Sequence, residues 1–251
     1  GQTLTVTTDD PIPDGVPFVV ATYFPHGLLD VGVREWQRVY DGDQLRVDVD
    51  NFHSDITINA DGTLAVHEET TLNVLEGALH QGVRALPLLY VDEVSAPSVA
   101  VNGQPLAAGE GVCTGCYLIN EFPRAATWVY LDPDSEQLTI NEDNGGVYNI
   151  DWYTPLPVQA GESVSTSVDF QVNGALRVND ENQLLTWQVV PDFDDSVRQA
   201  SLRLTLPPGV TPDQIVMEGP NEQGAPQIQP DGSLLYRFDG PVVPGAWRIA
   251  L

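Results

Sequence analysis

The amino-acid sequence predicts an all-β protein: an antiparallel β-sandwich, either as one unit or as two packed sub-sandwiches. About fifteen short segments alternate apolar and polar side chains with the period of two that lets a strand bury one face. Turn residues, mainly glycine, proline, asparagine and aspartate, separate these segments at the close spacing typical of sandwiches. No segment shows a convincing helical periodicity, and no repeat of fixed length recurs.

The chain is expected to divide near position 52. Residues 1–52 are interpreted as an N-terminal β extension or a small separate module, in which positions 45–49 alternate apolar with charged side chains as a half-buried strand does. Residues 53–251 are expected to form the sandwich. A proline-rich break at 155–161 is a candidate subdivision within it.

Residues 55–88 are the most informative stretch. Asp61 and Gly62 mark a turn, because aspartate accepts local backbone hydrogen bonds and glycine adopts the positive φ of a tight turn. The strand that follows has an apolar face interrupted by Glu68 and Thr70. This face carries Leu64, Val66, Glu68, Thr70, Leu72 and Val74, and the opposite face carries Ala65, His67, Glu69, Thr71 and Asn73.

Glu68 needs a partner on a core face, because a lone carboxylate cannot stay ionised there. Arg84 is the expected partner. It shares strand parity with Leu86 and Leu88, so it also points at apolar surroundings, and its planar guanidinium fits a carboxylate bidentately. The pair is either a functional site or a structural pair that fixes strand register. We favour the structural interpretation, because structural ion-pair networks also perturb carboxylates.

The rest of the chain predicts further strands separated by turns. Asn102-Gly103 is a strong hairpin signal, and a loop that holds the two cysteines follows. Alternating inward-facing residues then mark the later strands. They are Tyr148, Ile150 and Trp152; Val164, Thr166, Val168, Phe170 and Val172; Leu185, Trp187 and Val189; Leu202, Leu204 and Leu206; and Leu234, Tyr236 and Phe238.

The charge of the chain excludes some classes of partner. It has 36 acidic and 10 basic side chains, a formal net charge of −26, and no lysine. Phosphate recognition needs clustered cations, so we expect neither a nucleic-acid partner nor binding to an anionic membrane surface. Such a surface suits divalent cations, cationic partners or, most simply, solubility. No apolar run of roughly 18 residues occurs, so we expect no membrane-spanning helix within this sequence.

Two acidic loops are candidate calcium sites, and no other cofactor is expected. Calcium binds six to eight oxygen ligands, often from such loops, although neither loop matches the EF-hand pattern. The candidate ligands are Asp132, Asp134 and Glu136 in one loop and Asp192, Asp194 and Asp195 in the other.

A carbohydrate-active or other hydrolytic enzyme is an alternative function. Glycoside hydrolysis needs two carboxylates across a cleft, and nothing singles out such a pair among so many carboxylates. No G-x-S-x-G motif occurs. The sequence therefore names no catalytic residue and favours a non-enzymatic domain.

Cys113 and Cys116 leave several interpretations open. A zinc site would need two further ligands at suitable spacing, and no second C-x-x-C occurs. A thioredoxin-like redox pair would need a helix to stabilise the thiolate, and the sequence indicates none there. The other interpretation is a local disulfide that pins a glycine-containing loop.

The 55–88 stretch also matches a known pattern: an apolar strand, an Asp-Gly turn, a strand ending V-x-E, and a glycine–apolar–(x)–Arg–x–(Ile/Leu)–Pro element in which the first x is optional. The matching residues are Asp61, Gly62, Val66, Glu68, Gly82, Arg84, Leu86 and Pro87. The later segments GVYNIDWYTPLPV, VDFQVNGALRVNDENQLLTWQVV and RLTLPPGV match as well. On these residues, from 55 to 210, the chain resembles domain of unknown function family 2207, predicted bacterial membrane proteins with a large extracytoplasmic N-terminal region.

The resemblance implies a β domain outside the cytoplasm whose parent is anchored in the cell membrane, and it implies no known activity. In that oxidising context, the disulfide becomes the favoured interpretation of Cys113 and Cys116. We therefore expect a non-enzymatic envelope domain that binds, senses or spaces, with a protein or glycan ligand. A calcium-stabilised adhesion module is the other alternative.

Overall fold

The computed structural model describes residues 45–88, 91–110, 113–122, 128–131, 138–141, 146–178, 183–191, 197–218, 226–242 and 245–250. These residues belong to one unit of the chain, Asp43–Leu251. The predictions made for residues 1–44 lie outside the described residues.

The described residues are almost entirely β, which confirms the predicted fold class. Strands β1–β9 are Arg46–Ile58, Leu64–Glu76, Ala78–Pro87, Glu93–Val101, Gln104–Pro105, Ala107–Ala108, Cys116–Phe122, Trp128–Leu131 and Leu138–Asn141. Strands β10–β18 are Val147–Gln159, Ser163–Asn173, Leu176–Val178, Gln183–Val190, Val197–Thr205, Val216–Glu218, Gln227–Ile228, Leu234–Val242 and Gly245–Ala250. A short 3₁₀ helix spans Pro212–Gln214. Within the described ranges, no helix is both long and apolar enough to cross a membrane.

The strands form two main sheets that pack face to face. The large sheet has the order β16-β17-β14-β1-β2-β11-β4-β5, and the small sheet has the order β3-β10-β7-β6. A C-terminal sheet, β12-β13-β18-β15, and a β8-β9 ribbon complete the described strands. Buried side chains of the large, small and C-terminal sheets share one core. The Tyr117 hydroxyl on β7 donates to the Pro97 carbonyl on β4 at 2.8 Å and so links the large and small sheets.

Two strand pairs differ from the antiparallel expectation. β1 pairs with β14 in parallel, and β6 pairs with β7 in parallel. Parallel pairing needs a long connection, and the whole of β2–β13 lies between β1 and β14. This pair joins two antiparallel groups of strands at the middle of the large sheet.

The period-two prediction for β2 is confirmed by burial. Leu64, Val66, Glu68, Leu72 and Val74 are buried, whereas the residues between them are exposed or half-buried. On β3, Arg84 and Leu86 are buried between exposed neighbours. The inner faces of β2 and β3 therefore carry the two charged residues expected there.

Strands run through both positions at which a division of the chain was expected. β1 crosses the boundary between 52 and 53, and it pairs with β2 along most of its length. β10 continues from Val147 to Gln159, with an irregular register between Tyr153 and Val158. The proline-rich segment is therefore part of a strand of the small sheet.

Candidate functional site

Glu68 and Arg84 meet between the two packed sheets. Glu68 points inward from β2 of the large sheet, and Arg84 points inward from β3 of the small sheet. Arg84 Nε donates to Glu68 Oε2 at 2.6 Å, and Arg84 Nη2 donates to Glu68 Oε1 at 2.8 Å. The two residues are 3% and 4% exposed. This is the bidentate geometry in which a guanidinium best satisfies a carboxylate.

The remaining contacts of Arg84 close the pair off from solvent. Nη1 donates to the Ala85 carbonyl at 2.9 Å, and Nη2 donates to the Gln188 carbonyl on β13 at 3.2 Å. The guanidinium therefore ties the large, small and C-terminal sheets together at one point. Because no solvent-exposed face of the carboxylate remains for a substrate, the arrangement supports a structural role.

Cys113 and Cys116 are joined by a disulfide, with 6.0 Å between their Cα atoms. Gly109 lies against it: a Cβ at that position would be 2.8 Å from Cys113 Sγ and 3.4 Å from Cys116 Sγ. The bond pins the start of β7 near β6, at one edge of the small sheet. In this state neither sulfur is a thiolate ligand or nucleophile.

The candidate calcium ligands Asp132, Asp134, Glu136, Asp192, Asp194 and Asp195 lie outside the described residues. Among the residues that are described, no group of three histidines, cysteines or carboxylates is placed to hold a metal ion.

A groove of about 510 Å³ lies on the outer face of the large sheet, over β1, β14 and β17. We call it the outer-face groove. It follows the parallel junction between β1 and β14. Its lining is mostly polar and consists of Asn51, His53, Gln199, Ala200, Ser201, Arg203, Gln229, Leu235, Arg237 and Phe238.

Strand register places three polar residues in a row across the groove. Ser201 on β14 is paired with His53 on β1 and with Arg237 on β17. His53 Nδ1 lies 2.7 Å from Ser201 Oγ, a hydrogen bond whose direction depends on the imidazole tautomer. His53 Nε2 lies 3.3 Å from Asp55 Oδ1.

The two arginines of the groove differ in their partners. Arg203 Nε donates to Ser233 Oγ at 3.0 Å, and Arg203 Nη2 donates to Asp231 Oδ2 at 2.7 Å. Hydrogen bonds from Ser233 and, to a smaller extent, the charge of Arg203 lower the pKa of Asp231. Arg237 is exposed and has no ion pair or side-chain hydrogen bond among the described residues. Its guanidinium is thus open to a ligand.

Ser201, His53 and Asp55 are the residue types of a nucleophilic triad. An acyl-transfer site needs donors aimed at the developing oxyanion, usually backbone N–H groups. Ser201 lies on β14, which pairs with β1 on one side and with β17 on the other. The described backbone N–H and C=O groups beside Ser201 are therefore engaged in hydrogen bonds between strands.

A second polar cluster lies beside the groove on the same face. His67 Nδ1 is 2.7 Å from Asp169 Oδ1, and His67 Nε2 is 3.4 Å from Glu69 Oε1. Ser98 Oγ donates to the other carboxylate oxygen of Asp169 at 3.1 Å. Burial is the largest single influence on the pKa of His67 and lowers it, but Asp169 and Glu69 together raise the pKa above its ordinary value.

Another groove, of about 570 Å³, lies at the β1–β2 turn. The carboxylate in its lining, Asp61, already accepts hydrogen bonds from the backbone N–H and the hydroxyl of Thr63, at 3.0 and 2.7 Å. No cation contributes to the lining. The outer-face groove, which has free charged and polar groups, is the stronger candidate.

Sequence reasoning did not single out the residues of the outer-face groove. Ser201 and His53 are 148 positions apart, and only the parallel pairing of their strands brings them together. The signal present in the sequence is the alternation of polar residues on β1 and β14, which indicates an outer face and not a site.

Residues 48–238 match the family model described as the N-terminal domain of a predicted membrane protein, DUF2207. The match extends from β1 into β17 and confirms the resemblance read from the sequence. None of the curated proteins matches the chain.

Solved structures with a similar arrangement include an M1 zinc metallopeptidase from Deinococcus radiodurans, 14% identical with a TM-score of 0.44. That match covers 81% of this chain and 42% of the peptidase chain. A Legionella pneumophila protein described as nutrient-binding is 12% identical with a TM-score of 0.45, over 81% of this chain and 66% of its own. This chain therefore spans less than two thirds of either protein.

Proposed function

The chain belongs to the family of N-terminal domains of DUF2207 predicted membrane proteins, and from this membership we propose that it is an extracytoplasmic, non-enzymatic binding domain. In this proposal a membrane anchor elsewhere in the parent protein holds the domain at the cell envelope, where it binds a protein or glycan ligand. The observation that carries the binding role is the outer-face groove, where Arg237, Ser201 and His53 converge.

The Cys113–Cys116 disulfide supports the extracytoplasmic placement. Disulfides persist in oxidising compartments and are rare in the reducing cytoplasm. The net charge of −26 is compatible with this placement, because it keeps an exposed domain soluble and away from anionic lipid.

The chemistry of the charged groups supports a non-enzymatic role. Among the described residues, Glu68 is the most deeply buried acid, and both of its carboxylate oxygens accept hydrogen bonds from Arg84. The described backbone N–H groups beside Ser201 belong to strand pairs and are not free to stabilise an oxyanion. We therefore assign Glu68 and Arg84 a structural role, and Ser201 and His53 a role in ligand binding. The alternative function is a hydrolase, and an activity assay distinguishes it from a binding domain.

Cysteine labelling of the parent protein in cells tests the placement. Leu156 is 77% exposed, so Leu156→Cys in a Cys113→Ser/Cys116→Ser background adds an accessible thiol to this domain, and the same background without Leu156→Cys shows the labelling of any other cysteine in the parent. We expect a membrane-impermeant maleimide to label the Leu156→Cys variant in intact spheroplasts, whereas a cytoplasmic protein with an exposed cysteine stays unlabelled. Labelling of Leu156→Cys only after lysis would contradict the extracytoplasmic placement.

A hydrolase assay tests the non-enzymatic part. The purified protein is incubated with ester, peptide and glycoside reporters beside a Ser201→Ala variant. We expect both proteins to release product only at the background rate. Turnover by the wild-type protein that Ser201→Ala abolishes would assign an enzyme instead.

A further inference from the structure

We propose that the ligand of the outer-face groove is an acidic saccharide, a sugar that carries a carboxylate or phosphate group. This inference rests on the proposed binding function and adds the chemical class of the ligand.

The groove is cationic on a strongly acidic protein. Among the described residues, its lining contains two arginines and no aspartate or glutamate, in a chain with 36 acidic and 10 basic side chains. Asp231 lies outside the lining and binds Arg203 from the side. Asp55 borders the groove at His53. Arg237 is therefore the lining cation that has no carboxylate partner among the described residues, and an anionic group fits beside it.

Arg237 is the anchor for the anion. Its side chain is exposed and has no ion pair among the described residues. Beside it, Ser201 can donate its hydroxyl hydrogen to a ligand when His53 Nδ1–H donates to Ser201 Oγ. A guanidinium binds a carboxylate or a phosphate through two parallel hydrogen bonds, and a neighbouring hydroxyl adds a third donor.

Arg203 offers a second, already oriented cation. Its Nε and Nη2 atoms are held by Ser233 and Asp231, and its Nη1 atom has no partner in the described part of the chain. Because the side chain is fixed before the ligand arrives, less conformational entropy is lost on binding.

The remaining lining suits the hydroxyl groups and ring of a sugar. Asn51, Gln199 and Gln229 carry amides that both donate and accept hydrogen bonds, as sugar hydroxyls do. Leu235, half-buried at the groove, offers an apolar surface. A volume of about 510 Å³ lies within the range of small-molecule sites.

The charge of the whole protein limits the size of the anion. A net charge of −26 repels polyanions at long range, whereas one or two charges on a small sugar are matched locally by Arg203 and Arg237. This distinction disfavours nucleic acids and densely charged surfaces and leaves a small sugar with one or two charges as a ligand.

Isothermal titration of the purified protein tests the proposal. The probes are digalacturonate for the carboxylate, a hexose monophosphate for the phosphate, their neutral counterparts, and inorganic phosphate. We expect at least one acidic sugar to bind, and its neutral counterpart to bind at least about tenfold more weakly. We expect Arg237→Gln to lower the affinity for the acidic sugar at least about tenfold, the usual effect of losing a charged hydrogen bond. The acidic sugar that binds identifies the anionic group.

Matched variants keep the test decisive. Arg46→Gln alters another exposed arginine, on β1, that pairs with Glu76 outside the groove, so it should leave the affinity unchanged. Asn51→Ala and Gln199→Ala should weaken the acidic sugar but leave any weak binding of inorganic phosphate unaffected.

Three outcomes would overturn the inference: equal binding of acidic and neutral sugars, sugar binding that survives Arg237→Gln, or inorganic phosphate binding as tightly as either acidic sugar. No binding of any probe would also overturn it. None of these results changes the labelling of Leu156→Cys in cells, so failure of the ligand assignment is distinguishable from failure of the proposed function.

Discussion

The indole ring of Trp152 on β10 lies directly over Gly82 on the neighbouring strand β3. The two residues are register partners in the small sheet, and a Cβ added to Gly82 would overlap the six-membered ring of Trp152. Trp152 is 4% exposed, so its ring belongs to the packed core. The glycine of the family pattern is therefore required by a packed aromatic ring.

Gly82→Ala is expected to destabilise the fold by about 1–3 kcal/mol, because overpacking forces buried side chains off their rotamers. Urea unfolding followed by tryptophan fluorescence measures the loss. Val83→Ala is the control, since Val83 is exposed on the adjacent position of β3. Equal stability of Gly82→Ala and Val83→Ala would show that the Trp152 ring can shift to make room for a Cβ at position 82 without a measurable loss of stability.

Removing one member of the buried ion pair is expected to be among the most damaging single changes. Glu68→Ala leaves Arg84 charged and unpaired in the core, and breaking such a pair costs about 3–5 kcal/mol. Denaturant unfolding measures this cost. The exposed pair Arg46–Glu76, at 3.0 Å, supplies the control: Glu76→Gln should cost under about 1 kcal/mol.

Replacing both Glu68 and Arg84 separates the net contribution of the ion pair to the free energy of unfolding from the cost of leaving one buried charge without a partner. We expect Glu68→Leu combined with Arg84→Met to cost less than the sum of the single variants, because no buried charge remains. The Ala85 and Gln188 carbonyls still lose their donor. Additive costs in a double-mutant cycle would contradict coupling between Glu68 and Arg84.

Reduction of the Cys113–Cys116 disulfide is expected to have a modest effect on stability. The bond closes a loop with a sequence separation of 3, and the chain-entropy relation gives about 2 kcal/mol for so short a loop. Thermal unfolding of Cys113→Ala/Cys116→Ala beside the oxidised protein measures the difference. Complete unfolding of the variant would mean that the bond organises far more than its own loop.

Stability should depend on pH through His67. Its pKa is raised in the folded protein, on balance by Asp169 and Glu69, so the charged form is favoured by folding. The resulting stabilisation is fully present below the unfolded pKa of about 6.5 and is lost as the pH rises through the folded pKa.

His67→Gln should therefore be more destabilising, relative to wild type, at about pH 5.5 than at about pH 8.5. Urea unfolding at the two pH values checks this. His80→Gln is the control, because His80 is exposed and has no ion pair among the described residues. A destabilisation by His67→Gln that does not change with pH would show that His67 acts as a neutral hydrogen-bonding group.

The sequence predicts the local parts of this structure better than the distant ones. The buried face of β2 follows from a period of two, because side-chain alternation depends only on neighbouring residues. The Glu68–Arg84 contact could be predicted because two charged residues 16 positions apart both lie on core-facing positions of their strands, where each needs a partner of opposite charge. Both inferences depend on whether side chains are polar, charged or apolar at positions where the strand pattern already predicts burial or exposure.

The outer-face groove could not be predicted in the same way. Its residues lie on strands that are remote in sequence, and polar residues on an outer face need no special partner. The parallel pairing of β1 with β14 decides their neighbours, and no local pattern encodes that pairing. The antiparallel expectation for the sheet failed at the same place and for the same reason.

The parallel junction between β1 and β14 also affects the time course of folding. During synthesis β1 emerges long before its partner, since Val49 pairs with Val197. Until β14 arrives, one edge of β1 has unpaired backbone groups that another strand can use. High contact order of this kind slows folding, so we expect the nascent domain to depend on chaperone protection of this edge until its C-terminal third has been made.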